Sequence, residues 1–118
     1  MVDSKGPFSV EAVDGPEGVA IVALRGELDM TAAPVLREHV DRAAGARALL
    51  IDLSGATFVD SSILKELLRA GAELARYETR LVLAGIPPTV QRLFELTRTA
   101  PLFTLAEDRE AGLRLLEG

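Results

Sequence analysis

The amino-acid sequence predicts an α/β fold with one mixed, mostly parallel sheet of four to five strands and about four helices. The segment at residues 48–53 is almost continuously apolar, which is typical of a central strand covered on both faces. Residues 63–75 repeat apolar side chains at the spacing of an amphipathic helix. Strand-like and helix-like segments alternate from residue 26 onwards, which favours parallel strands joined by helical crossovers. The length of 118 residues is that of a single domain.

The N-terminal part of the chain predicts a tail followed by an antiparallel hairpin. Residues 1–7 are predicted to be a flexible tail, and residues 8–117 the folded domain. Apolar and polar side chains alternate over residues 8–13, as in a half-buried strand. The glycines and the proline of residues 14–18 favour a turn, and residues 19–24 form a second apolar strand. We expect antiparallel pairing to be confined to this hairpin.

Helices and strands are predicted to alternate after the hairpin. The first helix begins near Thr31, with Pro34 in its first turn, where a missing backbone N–H costs little. Gly45 marks the end of this helix. The later elements are the strand at 48–53, a long helix, a strand at 81–84, a helix opened by Pro87 and Pro88, a short strand at 102–105 and a final helix.

The long helix has the strongest periodic pattern in the chain, and a loop through Gly55 leads into it. Glu66 and Arg69, and likewise Glu73 and Arg76, are spaced to form ion pairs on its solvent-facing side. The opposite, apolar face consists of Ile63, Leu64, Leu67, Leu68, Gly71, Leu74 and Ala75.

The composition excludes several classes of chemistry. The chain is 48% hydrophobic and 26% charged, so it is neither disordered nor fibrous. It has no Cys and a single His, His39, which excludes disulfides, zinc fingers, iron–sulfur clusters and thiol nucleophiles. We therefore expect no cofactor, and we predict that His39 is an exposed residue in the middle of a helix.

The charge balance narrows the range of partners. Thirteen Lys and Arg residues against eighteen Asp and Glu residues give a net charge of −5, which disfavours binding to nucleic acid. The apolar stretch at residues 19–24 is too short to cross a bilayer, and the N-terminus lacks the layout of a signal peptide. We expect a soluble, cytoplasmic protein with no membrane contact.

The segment after the central strand is the best candidate for a functional site, because sites in open α/β sheets collect at the carboxyl ends of strands. Asp60, Ser61 and Ser62 precede the long helix, where side-chain oxygens commonly cap the free backbone N–H groups. The same position would also stabilise a phosphoryl group on one of the serines, since the N-terminus of a helix attracts negative charge. Capping alone and a phosphorylation switch both fit these residues.

Four short motifs together resemble one known family. Gly26–Asp29 follows a strand, Leu50–Leu53 forms the central strand, Phe58–Ser62 opens the long helix, and Pro87–Phe94 opens the next one. Their order and spacing resemble a STAS domain, over nearly the whole chain from about Phe8. The free-standing bacterial anti-sigma factor antagonists of this family are the most similar, so the resemblance implies a STAS-like single domain.

The resemblance implies a function as a binding switch rather than as an enzyme. Antagonists of this family bind an anti-sigma factor that is also a serine kinase with a histidine-kinase-like ATP site, and phosphorylation releases them. A serine phosphatase resets the switch. Ser61 matches the family's phosphorylated serine, and the implied partner-binding residues are Asp29, Asp60, Ser61, Ser62, Ile63 and Lys65. A monomer or a weak dimer is expected.

The chain departs from the family's pattern directly after the two serines. Many phosphorylated members continue with Gly-Leu-Gly, whereas this chain has Ile63, Leu64 and Lys65. Ile63 improves helix propensity and adds an apolar group beside the acceptor, and Lys65 brings a cation near any phosphate. The departure leaves the fold intact and leaves open which kinase acts on Ser61.

Other functions also fit the residues. A serine hydrolase would use Ser61 or Ser62, but His39 is the only imidazole and no Gly-x-Ser-x-Gly motif is present. Asp29, Asp52 and Asp60 could form a magnesium site, although Asp52 more plausibly ends a strand and Asp29 more plausibly orients the first helix. A non-phosphorylated STAS scaffold, or a partner of a membrane transporter, remain alternatives within the family.

Overall fold

One six-stranded sheet organises the residues that the computed structural model describes, 2–117. Its strands are β1 (Val2–Lys5), β2 (Phe8–Val13), β3 (Val19–Leu28), β4 (Ala48–Val59), β5 (Arg80–Ala84) and β6 (Thr104–Ala106). The strands lie side by side in chain order. β1, β2 and β3 pair antiparallel, and β3, β4, β5 and β6 pair parallel. The predicted combination of an N-terminal antiparallel hairpin and a parallel sheet is confirmed, with six strands where four to five were predicted.

Four helices cover the two faces of this sheet: α1 (Ala33–Ala43), α2 (Ser61–Ala75), α3 (Pro88–Thr97) and α4 (Arg109–Leu115). The first three contribute to one large apolar cluster, and α4 is followed by Leu116, which packs in a smaller cluster on the opposite face. From β3 to β6, each crossover moves to the next strand in the same direction. Because such crossovers all have the same handedness, their helices lie on the same face of the sheet.

The alternation of side chains along β4 explains how both faces are filled. Leu49, Ile51 and Leu53 belong to the large cluster under α1, α2 and α3. Ala48 and Leu50 point to the other face, where Leu50 meets α4 at Gly112. This is the arrangement predicted for a central strand with both faces covered.

The first residues of the chain differ from the prediction. The assignment of a flexible tail is wrong for Val2–Lys5, which form β1 and pair with β2; Met1 lies outside the described residues. The prediction for His39 is also wrong, since this residue of α1 is only 3% exposed. Its Nε2 lies 2.7 Å from Oδ2 of Asp3 in β1. The segment predicted as a tail therefore supplies the partner of a buried histidine.

β4 is longer than the sequence predicted, and its extension positions the candidate site. The predicted loop through Gly55 is wrong, because the strand continues to Val59 and pairs with the last residues of β3. Register shifts near Arg25 and Gly26 accommodate this extension. A Cβ on Gly26 would lie 2.0 Å from the carbonyl oxygen of Pro7, and its φ is +82°, so only glycine fits there.

Candidate functional site

The carboxyl ends of β3 and β4 bring two predicted site residues together. Leu28 and Val59 are register partners in these parallel strands, and Asp29 and Asp60 follow them directly. The backbone N–H of Asp60 donates to the carbonyl oxygen of Leu28 at 3.2 Å, which ties the two strand ends to each other. Two carboxylates thus lie at one edge of the sheet, where the sequence placed the candidate site.

Asp60 is the N-cap of α2. Its Oδ1 accepts hydrogen bonds from the backbone N–H groups of Ser62 and Ile63, at 2.9 and 3.4 Å. The Ser62 hydroxyl also donates to this oxygen. Two of the four free N–H groups at the start of the helix are therefore satisfied by one carboxylate. The capping interpretation is confirmed for Asp60.

The two serines at the start of α2 have different environments. Ser62 is half-buried, and its hydroxyl is engaged by Asp60. Ser61 is exposed, and within residues 2–117 its hydroxyl makes no hydrogen bond. Ser61 is therefore the serine whose oxygen is accessible to another protein and is not needed for the cap.

Asp29 organises the connection between β3 and α1. Its Oδ1 accepts hydrogen bonds from both the backbone N–H and the hydroxyl of Thr31, at 2.9 and 2.5 Å. The hydrogen bond from the Thr31 hydroxyl, followed by that from its backbone, lowers the pKa of Asp29 from the ordinary value of an aspartate. The carboxylate is ionised at neutral pH, and it shapes the turn that leads to α1.

Ile63 and Lys65 lie on opposite sides of α2. Ile63 has no exposed surface and packs in the large apolar cluster, so the prediction that it contacts a partner is wrong. The apolar period of the helix turns this side chain inward, towards the core. Lys65 is exposed, and its ammonium group makes no ion pair with any residue that the structure describes.

Two large apolar side chains flank the site, and the sequence analysis missed both. Met30 is 71% exposed in the connection after β3, and Phe58 is 50% exposed near the end of β4. We call the exposed residues Met30, Phe58, Ser61 and Lys65 the Ser61 surface. Burial of exposed apolar side chains is favourable when another protein docks on them. The only sequence signal was two large apolar residues next to polar motifs, which does not reveal their orientation.

An open groove adjoins the Ser61 surface between the first turns of α1 and α2. Its volume is about 360 Å³, and its lining residues are Met30, Ala33, Pro34, Arg37, Ser62 and Glu66. Nε of Arg69 donates to both carboxylate oxygens of Glu66, and Nη2 of Arg69 donates to one of them. The predicted Glu66–Arg69 ion pair is therefore confirmed, but Glu66 is buried rather than facing solvent as predicted. The groove therefore has an apolar wall and one exposed cation, Arg37.

Asp52 lies apart from the Ser61 surface, in the middle of β4 rather than at a strand end as predicted. Its Oδ2 accepts a hydrogen bond from Nε of Arg109 in α4 at 3.0 Å. Burial raises the pKa of Asp52, but hydrogen bonds from Ser54 and the charge of Arg109 outweigh it and leave the pKa below the usual value. Within residues 2–117, no group of three or more His, Asp or Glu side chains is arranged to hold a metal ion.

The structure does not assemble the parts of a serine hydrolase. His39 pairs with Asp3 and lines a cavity beside Ile21 and Val22, near the beginning of β3. Ser61 follows the opposite, carboxyl end of the sheet. A general base must be within hydrogen-bond reach of its nucleophile, and these two residues occupy different ends of the fold.

None of the helices in the described part of the chain is long and apolar enough to cross a membrane.

Comparison with known proteins identifies similar sequences. The model of the STAS domain family matches residues 12–112. A Bordetella bronchiseptica protein, BtrV, named as a candidate anti-sigma factor antagonist, is 28% identical over 104 residues. The match covers 85% of this chain and 88% of BtrV.

Solved structures with the same architecture include two named regulators. The crystal structure of an anti-sigma factor antagonist from Mycobacterium paratuberculosis is similar with a TM-score of 0.82 and 27% identity, over 92% of this chain and 93% of that one. The Bacillus cell fate determinant SpoIIAA in its phosphorylated form has a TM-score of 0.71 and 25% identity, over 90% of this chain and 98% of that one.

Proposed function

This chain belongs to the STAS domain family, and on that premise we propose that it is an anti-sigma factor antagonist whose binding is switched off by phosphorylation of Ser61. The proposed partner is an anti-sigma factor that is also a serine kinase. Bound to the unphosphorylated antagonist, this partner would release its sigma factor and permit transcription. The relatives support the proposal, since BtrV and the Mycobacterium paratuberculosis protein are both named as antagonists.

The observation that carries the proposal is the contrast between the two serines at the start of α2. The Ser61 hydroxyl is exposed and makes no hydrogen bond within the described residues, whereas the Ser62 hydroxyl belongs to the cap. A phosphoryl group on Ser61 would leave the Asp60 hydrogen bonds in place, since these go to Ser62 and Ile63. Modification would thus change the surface without unfolding the helix.

The proposed switch works by excluding the partner from the Ser61 surface. Met30 and Phe58 would supply apolar burial on docking, and Ser61 is exposed at the start of α2. A phosphate adds a charge of about −1.5 to −2 at pH 7. Burying it without a matching cation costs several kcal/mol, and each ~1.4 kcal/mol reduces affinity about tenfold. Phosphorylation should therefore weaken binding by at least about a hundredfold.

The chemistry of the switch belongs to the partners in this proposal. Oγ of Ser61 attacks the γ-phosphorus of ATP held by the kinase; the new O–P bond forms as the bond to the β–γ bridging oxygen breaks. ADP leaves, and the hydroxyl proton passes to the kinase or to solvent. A serine phosphatase then consumes one water, restores the hydroxyl and releases inorganic phosphate. The chain itself would act as a binding protein rather than an enzyme, in the cytoplasm, where transcription takes place.

The test is intact-mass spectrometry after incubation with ATP and the anti-sigma factor kinases of the same genome. We expect a gain of one phosphate in the wild type and in Ser62→Ala, and none in Ser61→Ala. Ser62→Ala is the matched control because it removes the neighbouring hydroxyl and keeps Ser61. A phosphate that persists in Ser61→Ala would contradict the proposed acceptor.

Binding measurements test the switch itself. Ser61→Asp should bind the kinase at least about tenfold more weakly than wild type, because a carboxylate introduces part of the charge of a phosphate. Ser61→Asn has nearly the same size without the charge and should bind within about threefold of wild type. Equal affinities for Ser61→Asp and wild type would overturn exclusion as the mechanism and favour a non-phosphorylated scaffold.

A further inference from the structure

Ser61 and Lys65 are separated by one turn of α2, and both are exposed. Residues four apart on a helix lie on the same side, with their Cβ atoms about 5–6 Å apart. Helical side chains lean towards the N-terminus, so the Lys65 side chain is directed towards the turn that contains Ser61. Neither the hydroxyl nor the ammonium group has a hydrogen-bond or ion-pair partner among residues 2–117.

Two carboxylates share this end of the fold with Ser61. Asp60 directly precedes Ser61. Asp29 follows the end of β3, which pairs with the end of β4 that Asp60 follows. Hydrogen bonds from Thr31 keep the pKa of Asp29 low, so this group is ionised at neutral pH. A phosphate on Ser61 would meet like charges on the sheet side. Lys65 lies on the solvent side of the same helix, and Arg37 of α1 lines the groove that Ser62 and Glu66 of α2 also line.

We propose that Lys65 forms an intrahelical ion pair with the phosphate on Ser61, and so stabilises the phosphorylated, released state of the protein. This inference rests on the proposed phosphorylation of Ser61. An ion pair with Lys C-terminal to the anion at this spacing has the favourable orientation on a helix. The phosphate dianion carries more charge than a carboxylate, so the pair is stronger than an ordinary Glu–Lys pair of the same spacing.

The pair also affects how completely the switch releases its partner. A partner docked on the Ser61 surface would have to displace the Lys65 ammonium from the phosphate. Stabilisation of the free phosphorylated protein then lowers its affinity for the partner by the same factor. Lys65 therefore acts as a positioning residue for the phosphate, and the ion pair itself exists only in the phosphorylated form.

The test is a double-mutant cycle on the full chain, with phosphoserine introduced at position 61 during translation so that no kinase is needed. Wild type and Lys65→Gln are each prepared with serine and with phosphoserine, and urea unfolding is measured at low salt. We expect Lys65→Gln to raise the unfolding equilibrium constant of the phosphorylated form roughly two- to fivefold more than that of the unphosphorylated form. The difference should shrink at high salt.

Phosphorus NMR gives a readout that a purely structural role of Lys65 would not affect. The second pKa of the phosphate should be lower in the protein that keeps Lys65 than in the Lys65→Gln variant, because the ammonium favours the dianion. Arg37→Gln is the matched control: it also removes one exposed cation, but from the α1 side of the groove rather than from the turn after Ser61. Equal shifts in the two variants, or no coupling in the cycle, would overturn the pair.

These outcomes are separable from those of the proposed function. Coupling on the isolated chain supports the ion pair even if no kinase modifies Ser61. If the phosphoserine protein still binds the kinase with full affinity, the exclusion mechanism is wrong, whereas a zero coupling energy contradicts only the role of Lys65.

Discussion

The sequence Asp-x-Ser occurs twice around β4, and the two copies have different roles. At Asp52–Ser54 and at Asp60–Ser62, Oδ1 of the aspartate accepts a hydrogen bond from the serine N–H at 2.9 Å. Asp52 is only 6% exposed, and its second oxygen binds Arg109 of α4. Asp60 caps α2 at the protein surface instead, beside the exposed Ser61.

The difference shows that the local motif determines only the local hydrogen bond. Position 52 faces the side of the sheet that α4 covers, so its carboxylate becomes a tertiary anchor for that helix. Position 60 follows the end of the strand, so its carboxylate holds a turn that remains available to partners. The same three-residue pattern thus supports the fold in one place and presents a candidate acceptor in the other.

The largest expected effect on stability comes from Asp52→Ala. Removing one partner of a buried ion pair costs about 3–5 kcal/mol, and the Arg109 side chain is 34% exposed, which reduces the cost. We expect a loss of about 2–3 kcal/mol in the free energy of urea unfolding. Asp52→Asn keeps an acceptor for the Ser54 N–H and should lose less. A loss below about 0.5 kcal/mol in Asp52→Ala would mean that this carboxylate does not anchor α4.

Asp60→Ala should have a smaller effect, because it removes a cap at the surface rather than a buried charge pair. Loss of an N-cap aspartate typically costs about 1 kcal/mol. Asp60→Asn should cost only a few tenths of a kcal/mol, since asparagine caps helices about as well as aspartate. Thermal and urea unfolding check both values. If Asp60→Ala were as damaging as Asp52→Ala, the contrast between a surface cap and a tertiary anchor would fail.

Asp52 should also contribute to stability in a pH-dependent way. The pKa of Asp52 is lower in the folded protein than the ordinary 3.8, so the unfolded chain binds more protons in acid. Its contribution is therefore complete above pH ~4 and is lost as the pH falls through the folded pKa. We expect the stability difference between wild type and Asp52→Asn to narrow in urea unfolding below pH 4. A difference that stays constant down to pH 2 would contradict this.

Ser62→Ala should have the smallest effect. It removes the hydroxyl that donates to Asp60, but the backbone N–H of residue 62 still donates to the same carboxylate. We expect a loss of about 0.5 kcal/mol in unfolding free energy. Ser54→Ala makes the corresponding substitution in the Asp52–Ser54 copy of the motif, where the serine is exposed. A loss above about 1.5 kcal/mol in Ser62→Ala would show that the hydroxyl, and not the backbone, maintains the turn.

The sequence predicts well those features whose cause is local. The apolar period of α2 and the cap by Asp60 depend on residues within one or two turns of each other. The run at 48–53, apolar except for Asp52, indicates the centre of the sheet, because a strand covered on both faces is apolar at nearly every position.

Features that depend on distant contacts were not predictable in the same way. β1 contains the polar residues Asp3 and Ser4, and its position is stabilised by pairing with β2 and by the contact of Asp3 with His39, 36 residues away. Neither strand pattern nor composition indicates that contact. The inward orientation of Ile63 follows from the helix period. The family resemblance nevertheless implied that Ile63 contacts a partner, because this residue lies beside the proposed acceptor serine in the sequence.

The unequal pairing along β4 has a consequence for the dynamics of the candidate site. Residues 48–52 have β3 on one side and β5 on the other, whereas residues 55–59 pair with β3 alone. Amide hydrogens in the second half should therefore exchange with solvent through smaller local openings than those in the first half. The central strand becomes less protected towards Ser61, so a docked partner would slow exchange most in the half of β4 that lacks a second neighbour.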